Sequence, residues 1–100
     1  MSEEEAILIA IRKGLEAFED RLEGYTVILF GSRARRDHGE HSDFDLGVYG
    51  LNPLPLDIFY AIGDFLDNLP TLHRIDWVDL NRASPALRKS ALSHSVVIDG

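Results

Sequence analysis

The stretch GSRARRDHGEHSDFDL, residues Gly31 to Leu46, decides the reading of this chain. It follows YTVILF, Tyr25 to Phe30, an apolar run too short for a buried helix and rich in β-branched and aromatic residues. That run predicts a central strand buried on both faces. A Gly-Ser pair at the end of such a strand, opening a helical turn, brings backbone N–H groups and a hydroxyl to one place, which suits a phosphate. Gly31 would let the phosphate approach and Ser32 would donate to it; an isolated Gly-Ser is more often a plain strand-to-helix turn with Ser32 as N-cap. RARRDHGEHS, residues 33–42, reads as a short helical turn and a loop. DFDLGVY, Asp43 to Tyr49, reads as a second strand, closed by Gly50, Asn52 and Pro53.

Outward from this centre the pattern alternates. Ser2 and Glu5 form a capping box, and Ile7, Ile11, Leu15, Phe18 and Leu22 follow at helical spacing, predicting one amphipathic helix that ends at Gly24. Ile58, Ile62, Phe65, Leu66 and Leu69 place a second long helix near residues 56–69, stopped by Pro70. HRIDWVDL, His73 to Leu80, is strand-like, with Ile75 and Trp77 on one face and Asp76 and Val78 on the other. Ser84-Pro85 caps a terminal helix over ALRKSALSH, and VVID reads as a short last strand. The expected fold class is α/β (α+β), a mixed sheet of about four strands with helices packed on it.

Asp43 and Asp45 are one residue apart on a predicted strand, so both carboxylates emerge on one face while Phe44 and Leu46 enter the other. Carboxylates about 7 Å apart along a strand can lean together to bridge divalent metals. With ten Asp in 100 residues, chance alone supplies about one D-x-D, so the pair carries weight only with company. The company is Asp76, a charge among apolar residues on another strand, expensive to bury alone. If the two strands are neighbours, Asp43, Asp45 and Asp76 converge, and three carboxylates make sense with cations between them. Asp79 has the opposite parity and is expected to face solvent or cap a turn. Arg33 and Arg36 share a face and could meet triphosphate oxygens or an acidic partner, while Arg35 points elsewhere. His38 and His41 are expected to be exposed loop residues, since nothing nearby completes a zinc site, and Trp77, Phe59 and Tyr60 to be core. Ser32 has no G-x-S-x-G elbow and no histidine base, which sets a Ser-His-Asp hydrolase aside.

The length, 100 residues with 45% apolar, bounds these readings to a single domain, residues 1–100. Folding at this size buries roughly 60–70% of the unfolded chain's surface, enough for a core but not for a separate substrate lobe, so any closing wall must come from a partner. The absence of cysteine excludes a disulfide framework, a thiolate zinc site and a cysteine nucleophile, and fits a reducing compartment, with the cytoplasm as the expected location. No apolar run approaches the ~20 residues of a membrane span, and MSEEEAILIA is acidic where a secretory signal is basic, which points to a soluble, unexported chain. A net charge of −7 disfavours stable binding to long nucleic acid and favours a partner with a basic face.

G-S-R-A-R, an intervening loop, S-D-F-D-L and a later strand carrying I-D together resemble the minimal nucleotidyltransferases, small members of the DNA polymerase β superfamily. The eleven-residue step from Ser32 to Asp43 fits that pattern, and the likeness runs from the first helix to VVID. The resemblance implies a polymerase β palm-like fold in which Gly31 and Ser32, with Arg33 and Arg36 nearby, hold the triphosphate. It implies two magnesium ions on Asp43 and Asp45, and Asp76 as a third carboxylate that positions or deprotonates the attacking hydroxyl. It further implies AMP transfer from ATP to a tyrosine of a HEPN-class toxin, the chain being the antitoxin of the pair, in a homo- or hetero-oligomer. Arg36 stands where such chains usually have glycine, a departure that bears on the loop. Two other readings are a non-catalytic module that masks its partner by contact, and transfer to RNA ends, which the charge disfavours.

Overall fold

The computed structural model describes residues 1–100. Its elements are α1 (Glu3–Leu15), a 3₁₀ turn (Glu16–Phe18), β1 (Thr26–Phe30), α2 (Ser32–Arg35), β2 (Phe44–Tyr49), α3 (Leu56–Asp67), β3 (Ile75–Asp79), α4 (Pro85–Ser93) and β4 (Val96–Asp99). The strands form one sheet in the order β3-β2-β1-β4. β1 runs antiparallel to β2 and β4, whereas β2 and β3 are parallel and joined through α3, the crossover that parallel neighbours require. The expected mixed four-stranded sheet with packed helices is therefore present.

One face of the sheet carries most of the core. Ile7, Ile11 and Leu15 of α1 and Ile58, Ile62 and Leu66 of α3 pack on Val27, Leu29, Phe44, Leu46, Val48 and Ile98. The other face has a smaller cluster, Ile28, Phe30, Leu80 and Ala91, under α4. Strand alternation assigns Phe44, Leu46 and Val48 to the thick face, and so assigns Asp45 to the face that α4 alone covers. Ser2 caps α1 by accepting from the Glu5 amide at 3.1 Å, and Ser84 caps α4 by accepting from Leu87 at 3.2 Å with Pro85 in the first turn.

Two expectations about elements are corrected. α1 stops at Leu15, tightens into the 3₁₀ turn and unwinds, so Leu22 is buried from a turn and Gly24, at φ +85°, closes that turn instead of the helix. Of the two roles expected for Asp79, facing solvent or capping, the first fails and the second holds: it is 5% exposed and caps backbone amides. Its carboxylate accepts from the backbone amides of Leu54 and Asn81, both at 2.9 Å, with Arg82 at 3.4 Å. The amide of Leu54 lies inside the core, where an unmet donor would be costly, and Asp79 meets it from the neighbouring strand. Asp79→Ala should therefore cost about 2–3 kcal/mol by leaving that amide unmet, read as a lower urea midpoint with an unchanged slope.

Candidate active site

The site grows from the meeting of three strand ends. β1 finishes at Phe30, and Gly31 turns the chain at φ +74°, ψ −155°, a conformation reserved for glycine. A Cβ on Gly31 would also overlap the carboxylate of Asp45, so the glycine is required twice over. Gly31 is itself the N-cap of α2, which makes Ser32 its first residue and not the cap. Phe30 lies opposite Asp45 across the β1–β2 pair, and Asp45 lies opposite Asp76 across the parallel β2–β3 pair. β2 is thus an interior strand, and the aspartate pair is not the solvated face of a sheet edge.

This register forces two carboxylates side by side. Burial pushes the Asp45 carboxyl above the ordinary range, the charges of Asp76 and Asp43 push it further, and a hydrogen bond with Asp76 adds to them; Arg35 offsets part of this. Asp76, about one-third exposed, accepts from Arg74 Nε at 2.9 Å. Asp43 is exposed and sits just before β2. The three aspartates that the sequence singled out are brought together as a charge cluster. They do not close a cage, however, since no three carboxylates or histidines stand close enough to hold an ion by themselves.

The arginines are redistributed relative to expectation. Arg33 is 4% exposed, stacks its guanidinium 3.9 Å above Phe44, and is committed to Glu4 and to the carbonyl oxygens of Ser42 and Glu40. A guanidinium used inside the fold is not offered to triphosphate, so the nucleotide-binding expectation for Arg33 gives way to a structural role. Arg36 shares Arg33's partner, donating to Glu4 at 2.8 Å, and its own side chain is mostly exposed. Its backbone is left-handed at φ 65°, closing α2 onto the Ser32 carbonyl as a glycine would. A non-glycine residue held there carries a strain of about 1 kcal/mol. Arg35, expected to point elsewhere, is the arginine whose charge reaches Asp45; it is exposed and paired with Asp37 at 3.2 Å.

Glu4 is the hub of this side. Burial alone would raise its carboxyl, but hydrogen bonds from Arg36 and Arg33 and the charges of Arg36 and His38 outweigh burial and hold it below the usual range. His38 is consequently not an exposed loop residue: its Nε2 lies 3.5 Å from Glu4 and its Nδ1 is buried without a partner. His41 is exposed as expected. Phe59 and Trp77 stack at 5.5 Å in the partly buried layer, whereas Tyr60 is 63% exposed and not core. Glu4, Arg35 and Arg74 were not legible as site neighbours; only Arg74, two residues before Asp76 on the same strand face, carried a local signal.

Two open clefts flank Arg74 and His73. One, of about 310 Å³, is lined by Asp43, His41 and Glu40; the other, of about 380 Å³, reaches Asp76 and Asp67. Both are partly enclosed and open to solvent.

Residues 15–99 match the family described as Polymerase beta, Nucleotidyltransferase. Among solved structures, one chain of a toxin–antitoxin crystal structure with AMP-PNP is similar at 22% identity, over 90% of this chain and 73% of that one, with a TM-score of 0.65. A rebuilt structure of tri-AMPylated Shewanella oneidensis HEPN toxin in complex with MNT antitoxin is similar at 20% identity, over 94% and 72%, with a TM-score of 0.64. A chain reported as a candidate minimal nucleotidyltransferase shares 28% identity over 89% and 93%, with a TM-score of 0.54. No curated protein sequence matches the chain.

Because the Asp45 carboxyl is raised in the folded chain, its stabilising contribution is complete below the unfolded carboxylate value and is lost as pH rises through the raised one. Above that value the ionised Asp45 is a net cost. Asp45→Asn should therefore be the more stable protein at pH 7, by up to about 1 kcal/mol for a half-exposed like-charge contact, with the difference vanishing near pH 3. Thermal unfolding of both proteins between those pH values measures it.

Proposed function

The chain belongs to the polymerase beta nucleotidyltransferase family, and we propose that it transfers AMP from ATP to a tyrosine hydroxyl of a HEPN-class toxin, acting as that toxin's antitoxin. The observation that carries this reading is the position of Asp45, set between Asp76 and the Gly31 turn and pushed above the ordinary carboxylate range by burial and by its acidic neighbours. A fold that needed only stability would place an aliphatic side chain there. Like charges held this way call for a cation.

Magnesium suits the donors present, because it takes one or two carboxylates and completes its shell with phosphate oxygens and water, which agrees with an incomplete protein cage. Asp43 and Asp45 would hold two ions, with Asp76 beside them. When bound, such ions neutralise charge on the attacking and leaving oxygens of an in-line displacement. Gly31 clears space for the triphosphate and Ser32 offers its hydroxyl to it; Arg35 and Arg36, both exposed, supply cations at the rim. Asp76 is accessible enough to orient an incoming hydroxyl and take its proton. The acceptor oxygen then bonds to the α-phosphorus and pyrophosphate leaves.

The protein acceptor is supported by the similar structures, which hold an AMPylated HEPN toxin with an MNT antitoxin in one case and AMP-PNP in another. The test incubates the chain with ATP, magnesium and its HEPN-class toxin, and separately with tRNA, and reads acceptor mass. We expect addition of AMP to the toxin and none to tRNA, with Asp43→Asn/Asp45→Asn lowering the rate about a thousandfold or more. Unimpaired transfer by the double variant contradicts the metal assignment. Neutralisation of the toxin by the double variant, with no AMP added by the wild type, would make the chain a masking module.

A further inference from the structure

Glu4 lies on α1, outside residues 15–99 that match the family, and of the groups given a role above it touches only Arg36 at the rim. Its carboxylate is nevertheless only 16% exposed, and it accepts from Arg33 Nη1 at 3.1 Å and Arg36 Nη1 at 2.8 Å. Each arginine leads to a different part of the site. Arg33, buried on the Phe44 ring, donates through Nε and Nη2 to the carbonyl of Ser42 at 3.1 and 2.8 Å, and Ser42 immediately precedes Asp43. Arg36 ends α2 in the left-handed conformation, and its amide and that of Asp37 both return to the carbonyl of Ser32. One carboxylate thus ties the Gly31–Ser32 turn to the residue that presents Asp43.

Without that carboxylate, Arg33 becomes a buried cation with no counter-charge, and Arg36 loses the tether that offsets its strained backbone. Both ends of the loop are then free to relax, and small misplacements of site groups are costly. We infer that Glu4 is a positioning residue for nucleotidyl transfer: acting through Arg33 and Arg36, it sets Asp43 against the phosphate turn so that magnesium and triphosphate are held together. This inference rests on the proposed function of the same site.

The experiment is calorimetric titration with ATP, with and without magnesium chloride, of the wild type, Glu4→Ala, Glu4→Gln and Asp43→Asn/Asp45→Asn. Ile58→Ala, in the core under the far end of α3, serves as a variant destabilised without disturbing the loop. All are used below their own unfolding transitions. The wild type is expected to gain about tenfold in ATP affinity from magnesium and the double aspartate variant to gain nothing; tenfold corresponds to about 1.4 kcal/mol. Glu4→Ala should keep its magnesium-free affinity within twofold yet lose most of the magnesium-dependent gain. Glu4→Gln, which keeps an oxygen for Arg33, should recover part of it, and Ile58→Ala should keep all of it. A full magnesium-dependent gain in Glu4→Ala, or an equal loss of affinity with and without magnesium, overturns the positioning role alone. A wild type with no magnesium-dependent gain overturns the reading of the site, and the inference with it.

Discussion

The parallel pairing of β2 with β3 puts Asp45 beside Asp76, and the rest of the molecule is arranged around that contact. Two carboxylates on adjacent strands repel, and desolvation of Asp45 adds to the cost, so the pairing must be held by forces elsewhere. The thick face supplies them. Phe44, Leu46 and Val48 are fully buried under α1 and α3, which fixes β2 in register while its alternate residues face the thinner layer. A one-residue slip would send the aspartate into the core, so the apolar pattern that folds the sheet also specifies where the charges meet.

The same economy appears on the α2 side. The segment from Gly31 to Ser42 has little core of its own, and its single buried side chain is Arg33. A buried arginine stacked on Phe44 and bonded to backbone carbonyls anchors a polar loop that an aliphatic residue could not. Glu4 then neutralises it from α1, a helix far away in sequence. Two carboxyl environments therefore act in opposite senses: the arginines around Glu4 favour its charged form, while burial and the neighbouring carboxylates disfavour that of Asp45.

Much of this was legible in the residues. Ile7, Ile11 and Leu15, and Ile58, Ile62 and Leu66, announce the core helices α1 and α3 by spacing alone, and Ser2 and Ser84 mark the starts of α1 and α4. Asp43, Asp45 and Asp76 could be grouped because strand alternation is local and an aspartate inside I-D-W-V is conspicuous. What alternation cannot tell is which face is solvated: the parity of Asp79 allows a solvent-facing or a capping residue, and the structure makes it a buried cap beside the Leu54 amide. Arg33 departs from its expected role for a related reason. A turn of helix shows which arginines share a face, but not that Phe44 and Glu4 wait on the other side of it. Leu22 followed helical spacing closely enough to extend α1 on paper, although its burial arises from a turn.

The proposed displacement at the α-phosphorus is read most directly from the fate of ATP labelled either in its α- or in its γ-phosphate when the chain, magnesium and a HEPN-class toxin are mixed. The α-label is expected to become covalently attached to the toxin while the γ-label leaves in pyrophosphate. Attachment of the γ-label, or retention of both labels in unreacted ATP, would contradict it.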